Sequence, residues 1–224
     1  MNEQRTPITS DLQRDVAAAP SRGLMAPYVM LGDFLDGNTV ADLLAFTLAS
    51  EPQFEAAMVG RRADRAINPT TRVSVATRNL GDFVPALRSK LLALVPELVA
   101  KLGISSLQAP QIELQLVAHN DGAFFKRHID TFTVAERGSL RLLSAIYYFH
   151  AEPKGFSGGA LRLYAIGGNE DEDFVDVDPV HNSLLVFPSW APHEVMPISC
   201  PSKRFIDSRF AINCWVRRQS NAAS

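Results

Sequence analysis

At 224 residues the chain can bury a full core as one large domain, and its 46% apolar and 21% charged content is ordinary for a globular protein. A net charge of -2 supplies no basic face for nucleic acid, and no stretch is long and apolar enough to cross a bilayer, so neither nucleic acid nor a membrane is expected as partner. Two cysteines, Cys200 and Cys214, are too few for a disulfide framework and read as reduced thiols, which predicts a cytoplasmic location.

Residues 1–26 lack the basic-then-apolar layout of a secretion signal and read as a flexible N-terminal tail. Tyr28-Val29-Met30-Leu31 is a short apolar run that predicts a strand. Asp36-Gly37-Asn38-Thr39 offers turn and cap chemistry, and Val40, Leu43, Leu44 and Leu48 follow at helical spacing. Thr71 to Val75 alternates and predicts another strand. Between Val84 and Leu102, Leu87, Leu91, Leu94, Leu98 and Leu102 mark the buried stripe of a helix, which Pro96 should kink or split.

Near residue 110 the period changes from helical to two. Ile112-x-Leu114-x-Leu116, the run Leu142 to Tyr148, Leu161 to Tyr164, Ser183 to Phe187 and Phe210 to Val216 predict strands. Asn120-Asp121-Gly122, Gly158-Gly159, Gly167-Gly168-Asn169, Pro188 and Pro192 punctuate them. Many short strands with such turns predict a sandwich or jelly-roll barrel, mainly β, with the preceding helices packed on one sheet. The chain then divides into a single domain, 27–218, with helical support over 27–110, the jelly-roll core over 111–218, and a C-terminal tail over 219–224. The acidic run Asn169 to Asp178 reads as a solvated loop. A calcium loop is the alternative, but the glycine of an EF-hand turn is missing.

Of five histidines, His128 is the informative one, in Arg127-His128-Ile129-Asp130-Thr131. On a strand His128 and Asp130 would share a face, with Ile129 buried opposite. His193, delivered by Pro192 to a strand start, completes two imidazoles and a carboxylate. Such a set leaves half of an octahedral sphere open and suits iron(II) with exchangeable positions. Taken alone, a His-x-Asp pair is weak, since many lie on surface strands. Two companions strengthen it. Arg209 shares the odd face of the last strand with Ala211, Asn213 and Trp215, and a buried guanidinium needs an anion. The far carboxylate of 2-oxoglutarate, whose other end chelates iron, would serve. Tyr148 could donate a second hydrogen bond to that carboxylate.

Taken in order, His128-Ile129-Asp130, Ile146-Tyr147-Tyr148, Ser157-Gly158-Gly159-Ala160-Leu161, Pro192-His193-Glu194-Val195 and Arg209-Phe210-Ala211-Ile212 resemble the prolyl 4-hydroxylase-like branch of the Fe(II)/2-oxoglutarate-dependent dioxygenases. The likeness runs from about Ile112 to Arg217. It implies a double-stranded β-helix; iron held by His128, Asp130 and His193; and 2-oxoglutarate held by Arg209 and Tyr148 in a pocket lined by Ile146, Leu161, Asn213 and Trp215. It further implies O2 as cosubstrate, ascorbate as an accessory reductant, and hydroxylation of an unactivated C–H bond. The substrate would be a prolyl residue of a peptide or protein; a free amino acid or natural-product intermediate is the alternative, and a non-catalytic cupin-like metal-binding module a more distant one. No sequence feature points to an oligomeric state.

Two positions depart from the family pattern. Arg209 stands 16 residues after His193, farther than is usual, and Lys203 and Arg204 lie nearer. The residues after Arg209 still favour it, and Pro197 to Asp207 then reads as an enlarged hairpin. His119 stands where relatives often carry a tyrosine near iron. A contact with the 2-oxo acid or substrate and an incidental surface histidine both remain open there.

Overall fold

The structure, a computed structural model, describes residues 23–60, 66–104, 107, 109–131, 140–167, 169 and 172–218. Residues 1–22 of the expected N-terminal tail and the C-terminal tail at 219–224 lie outside them. Residues 23–26 are packed: the Leu24 and Ile166 backbones exchange hydrogen bonds of 3.1 and 3.0 Å, and Ala26 is buried. No helix among the described residues is long and apolar enough to cross a membrane.

Strands β1 (Val29–Leu31), β2 (Glu55–Ala56), β3 (Arg72–Val73) and β4 (Val75–Thr77) and helices α1 (Gly37–Ala49) and α2 (Phe83–Lys101) form the first part. The second part contains β5 (Gln111–His119), β6 (Phe124–His128), β7 (Leu140–Phe149), β8 (Ser157–Gly158), β9 (Leu161–Tyr164) and β10 (Phe174–Val177). It continues with β11 (Ser183–Pro188), β12 (His193–Val195), β13 (Ile198–Ser199) and β14 (Arg209–Arg218). A seven-stranded sheet runs β1-β11-β7-β14-β5-β4-β2, a five-stranded sheet runs β10-β9-β12-β6-β3, and β13 pairs with β8. All pairings are antiparallel, and the two larger sheets face one another as a double-stranded β-helix.

The period-two pattern sorts the core into two layers. Phe210, Ile212, Cys214 and Val216 of β14, with Tyr147, Phe149, Leu184 and Val186, pack outward with α1 and α2. The alternate residues Ala211, Ile146, Tyr148, Leu185 and Phe187 pack inward with Leu161 and Leu163 of the smaller sheet. Because β7, β11 and β14 serve both layers, a one-residue slip would exchange them, which fixes the register that places the site. Asp36 caps α1 by accepting from the Thr39 amide at 3.0 Å. Cys200 and Cys214 are both buried free thiols.

Three expectations are corrected. Pro96 does not split α2, which is continuous from Phe83 to Lys101. Pro96 is on the exposed side, where water can reach the Leu92 carbonyl that loses its amide donor. The alternating run at 71–75 is two strands, not one. Arg72–Val73 joins the small sheet at β6, and Val75–Thr77 joins the large sheet at β5, so Ser74 is where the chain changes sheets. The acidic run is not all loop. Phe174–Val177 is β10, in which Asp176 takes a two-pronged hydrogen bond from Arg162 at 2.7 and 2.8 Å, while Asp173 is buried and accepts from the Asn169 amide at 2.7 Å. Opposite charge across a strand pair made this acidic segment compatible with a sheet.

Candidate active site

Strands β6 and β12 lie antiparallel with His128 directly opposite His193, and the two rings are 4.2 Å apart. The strand β6 ends at His128, so Asp130 is delivered by the following turn rather than by strand alternation. Its amide and that of Thr131 both donate to the Ser189 carbonyl, at 2.9 and 3.0 Å. Ile129, expected to be buried, is therefore 40% exposed. The result is still a cluster: His128 Nε2 is 3.8 Å from Asp130 Oδ1, His193 Nε2 is 3.7 Å from Oδ2, and the three ligand atoms lie within 4.8 Å of one another. Among the described residues no other group of His, Cys, Asp or Glu gathers in this way.

The histidines are set up as ligands by their other nitrogens. His128 Nδ1 lies 2.8 Å from the Lys126 carbonyl, and His193 Nδ1 lies 2.9 Å from the Ala191 carbonyl. A carbonyl only accepts, so both Nδ1 atoms carry hydrogen and both Nε2 lone pairs face the cluster. Burial, reinforced by neighbouring His193, holds the His128 pKa well below that of a free imidazole and keeps the ligand neutral. Burial alone would raise the Asp130 pKa. Hydrogen bonds from Ser144 and Trp215 favour the ionised form, and the Asp130 pKa stays below the ordinary carboxyl value. This donor set fits a divalent first-row ion with open positions.

Sequence reasoning missed the brace behind Asp130. Ser144 Oγ donates to Asp130 Oδ2 at 2.6 Å and lies 2.9 Å from Ser189 Oγ, with both serines buried. The Arg141 guanidinium stacks 3.7 Å over Trp215, reaches within 3.9 Å of Asp130 Oδ1, and is anchored on Glu113 at 2.9 Å. The only signal for Ser144 was a small polar residue inside an otherwise apolar strand. Replacing it, Ser144→Ala, should lower iron(II) affinity about 10- to 100-fold with little change in fold stability, as a metal titration followed by thermal unfolding would show.

Arg209 and Tyr148 lie buried side by side between the sheets. Arg209 is 1% exposed, and its Nε and Nη2 have no hydrogen-bond partner among the described residues; neither does the buried Tyr148 hydroxyl. Tyr148 Oη and the guanidinium are close enough to influence each other, with the charge 4.7 Å from the ring, yet no well-aligned hydrogen bond joins them. Burial pulls the Arg209 pKa down, but a guanidinium stays charged at neutral pH; burial also pushes the Tyr148 phenol up, so it keeps its hydrogen. An unpaired buried cation beside an unpaired donor is costly, and a bound carboxylate fits both.

The Gly158-Gly159 turn makes room for this arginine. A Cβ on Gly159 would sit 2.8 Å from Arg209 Cδ and 2.7 Å from Ile198 Cγ1, at a φ of +73°. Gly159→Ala should cost about 2–3 kcal/mol in urea unfolding and displace the guanidinium.

Ile146 and Leu161 belong to the same inner layer as Tyr148. Asn213 pairs across from Ile146, and Trp215 pairs with Ser144 and hydrogen-bonds Asp130. His119 is no surface residue: it is 3% exposed and its Nδ1 is 3.2 Å from Arg209 Nη1. Lys203 and Arg204 point elsewhere, to Asp121 at 3.8 Å and to Asp207 at 2.7 Å. The segment between His193 and Arg209 is not a hairpin on itself. Ile198–Ser199 pairs with Ser157–Gly158, and a 3-10 turn at Phe205–Asp207 leads into β14.

Comparison with known proteins agrees with this geometry. The protein is 40% identical over 147 residues to an uncharacterized PKHD-type hydroxylase of Synechocystis, an alignment of 62% of this chain and 48% of that protein, so the match spans about half the length of the curated relative. A prolyl-4-hydroxylase of Pseudomonas putida shares the fold with a TM-score of 0.62 at 24% identity, over 88% of this chain and 94% of that one. So does a Trichoplax adhaerens prolyl hydroxylase in complex with a hypoxia inducible factor peptide fragment, with a TM-score of 0.59 at 22% identity, over 84% and 82%. Residues 114–217, which carry the triad, Arg209, Tyr148 and His119, match the sequence model of the 2OG-Fe(II) oxygenase superfamily.

Proposed function

We propose that the protein hydroxylates an unactivated C–H bond with 2-oxoglutarate and O2, using iron(II) held by His128, Asp130 and His193. The observation that carries this reading is the pairing of that cluster with the buried, partnerless Nε and Nη2 of Arg209 and the Tyr148 hydroxyl. A metal site alone would suit a cupin-like binding module; a metal site with buried carboxylate-matching donors on Arg209 and Tyr148 suits a cosubstrate with two acid ends. When bound, iron(II) and 2-oxoglutarate supply the oxidising chemistry that puts one oxygen atom of O2 into substrate and leaves succinate and CO2.

The chain's own part is placement and exclusion. His128 and His193 present fixed lone pairs because their Nδ1 hydrogens are held by backbone carbonyls. Asp130 offsets part of the ion's charge, and Ser144 holds its carboxylate in one orientation. Arg209 and Tyr148 grip the far carboxylate and so orient the oxo-acid end, while Ile146, Leu161 and Ala211 keep water from the pocket floor.

As substrate we favour a prolyl residue in a peptide or protein. The partly exposed triad supports it, with the apolar side chains of Ile129 and Trp190 at the surface beside His128, Asp130 and the Ser189 turn. The prolyl hydroxylases among proteins of this fold, one of them peptide-bound, point the same way. The test is to incubate iron-loaded protein with 2-oxoglutarate and panels of proline-containing peptides, free amino acids and small natural products. Succinate and a substrate mass gain of one oxygen atom are then followed together. Oxygen gain in a peptide is the expected result, and gain only in a small molecule would reassign the substrate. Neither succinate nor oxygen transfer from iron-loaded protein would favour the non-catalytic module.

A further inference from the structure

We infer that His119 is a positioning residue that selects which edge of the Arg209 guanidinium is offered to the far carboxylate of 2-oxoglutarate. The inference rests on the reading of Arg209 as the cosubstrate anchor. It starts from register. His119 ends β5 and Arg209 begins β14, directly across from it, so both side chains point to the interior. The contact between them is 3.2 Å, from Arg209 Nη1 to His119 Nδ1, and both residues are fully enclosed.

The chemistry of the pair fixes its direction. A guanidinium has hydrogens and no acceptor, so His119 Nδ1 must accept and its hydrogen must sit on Nε2. Burial first, then the positive charges of Arg209 and Arg72, hold the His119 pKa well below the ordinary imidazole value, so the acceptor is neutral. With Nη1 occupied, the atoms left without partners are Nε and Nη2. Those two share one edge of the planar group, and their parallel hydrogens match the two oxygens of a carboxylate.

Residue type matters at this position. An aspartate or glutamate opposite Arg209 would neutralise it and compete with the cosubstrate for the same charge. An aliphatic residue would leave a further buried nitrogen bare and the guanidinium free to rotate. A neutral imidazole accepts one hydrogen bond and leaves the full charge for the ligand. Gly159 leaves room for the arginine stem, since a Cβ there would fall 2.8 Å from Arg209 Cδ and 3.3 Å from Nε.

The experiment compares equilibrium binding of 2-oxoglutarate and 2-oxopentanoate, the same carbon chain without the far carboxylate, to anaerobic iron(II)-loaded protein. Wild type, His119→Leu and His119→Asn are measured. The Asn amide oxygen lies where Nδ1 was. His119→Leu should lose about tenfold in 2-oxoglutarate affinity, the scale of one hydrogen bond to a charged group, with 2-oxopentanoate and iron affinity unchanged. His119→Asn should recover most of the loss. Unchanged 2-oxoglutarate affinity in His119→Leu, or equal loss for both ligands, overturns the inference while leaving Arg209 as anchor. Equal binding of both ligands by wild type overturns the anchor reading and this inference with it. Should His119→Leu not fold, His119→Asn is compared with His119→Gln, whose amide falls beyond the Nδ1 position. Asn near wild type with Gln weakened supports the inference, and equal affinities overturn it.

Discussion

Arg209→Met should abolish useful 2-oxoglutarate binding while leaving the unliganded protein as stable as before, or more so. The two effects have one cause. Arg209 sits 1% exposed with two nitrogens lacking partners, so the unliganded fold carries a desolvated charge. Methionine fills much of the same volume without it, a change expected to add about 1–3 kcal/mol to the stability of the free protein. Truncating one partner of a buried charge pair costs about 2–5 kcal/mol of binding, or roughly 30-fold to more than 1,000-fold in 2-oxoglutarate affinity. Thermal unfolding reads both. With iron(II) present throughout, adding 2-oxoglutarate at a concentration that saturates wild type should raise the wild-type midpoint by about 5–10 °C and shift that of Arg209→Met far less. A variant less stable than wild type that still responds to 2-oxoglutarate would mean that Arg209 is a structural residue.

Asp130→Ala should eliminate turnover and lower iron(II) affinity more than about 100-fold, beyond what loss of a supporting residue usually costs. The carboxylate is the only anion in the cluster, and without it two neutral imidazoles face the ion. The fold should survive. The amides of residues 130 and 131 still reach the Ser189 carbonyl, and Ser144 still has Ser189 as partner. Metal titration beside a circular dichroism spectrum checks this, and an active Asp130→Ala protein would rule out the triad.

Much of this site could be read from the chain because its residues sit in local patterns. Period-two alternation identified β5, β7, β9, β11 and β14, and it put Arg209, Asn213 and Trp215 on one face of the last strand with Ala211, which packs in the inner layer. The Pro192-His193 junction marked a strand start, as found. Local pattern failed where neighbours distant in sequence decide the outcome. Ile129 follows a strand that stops at His128, because the next amides turn to Ser189. The acidic run around β10 becomes strand because Arg162 lies opposite Asp176. The Ser144–Asp130 brace and the His119–Arg209 contact join residues 14 and 90 positions apart, so only the register of assembled sheets brings them together. Pro96 shows the converse: the helix runs on through it, at an exposed position.

The central claim is that the His128–Asp130–His193 cluster and the Arg209 pocket together hold one chelated cosubstrate. The most direct test is the visible metal-to-ligand charge-transfer band that appears when iron(II) and 2-oxoglutarate are added to the protein without oxygen, recorded for wild type, Asp130→Ala and Arg209→Met. A band in wild type that is lost in Asp130→Ala and needs far more 2-oxoglutarate in Arg209→Met is the predicted result. A wild-type protein that binds iron(II) yet gives no band at saturating 2-oxoglutarate would contradict the claim and leave a metal-binding barrel in its place.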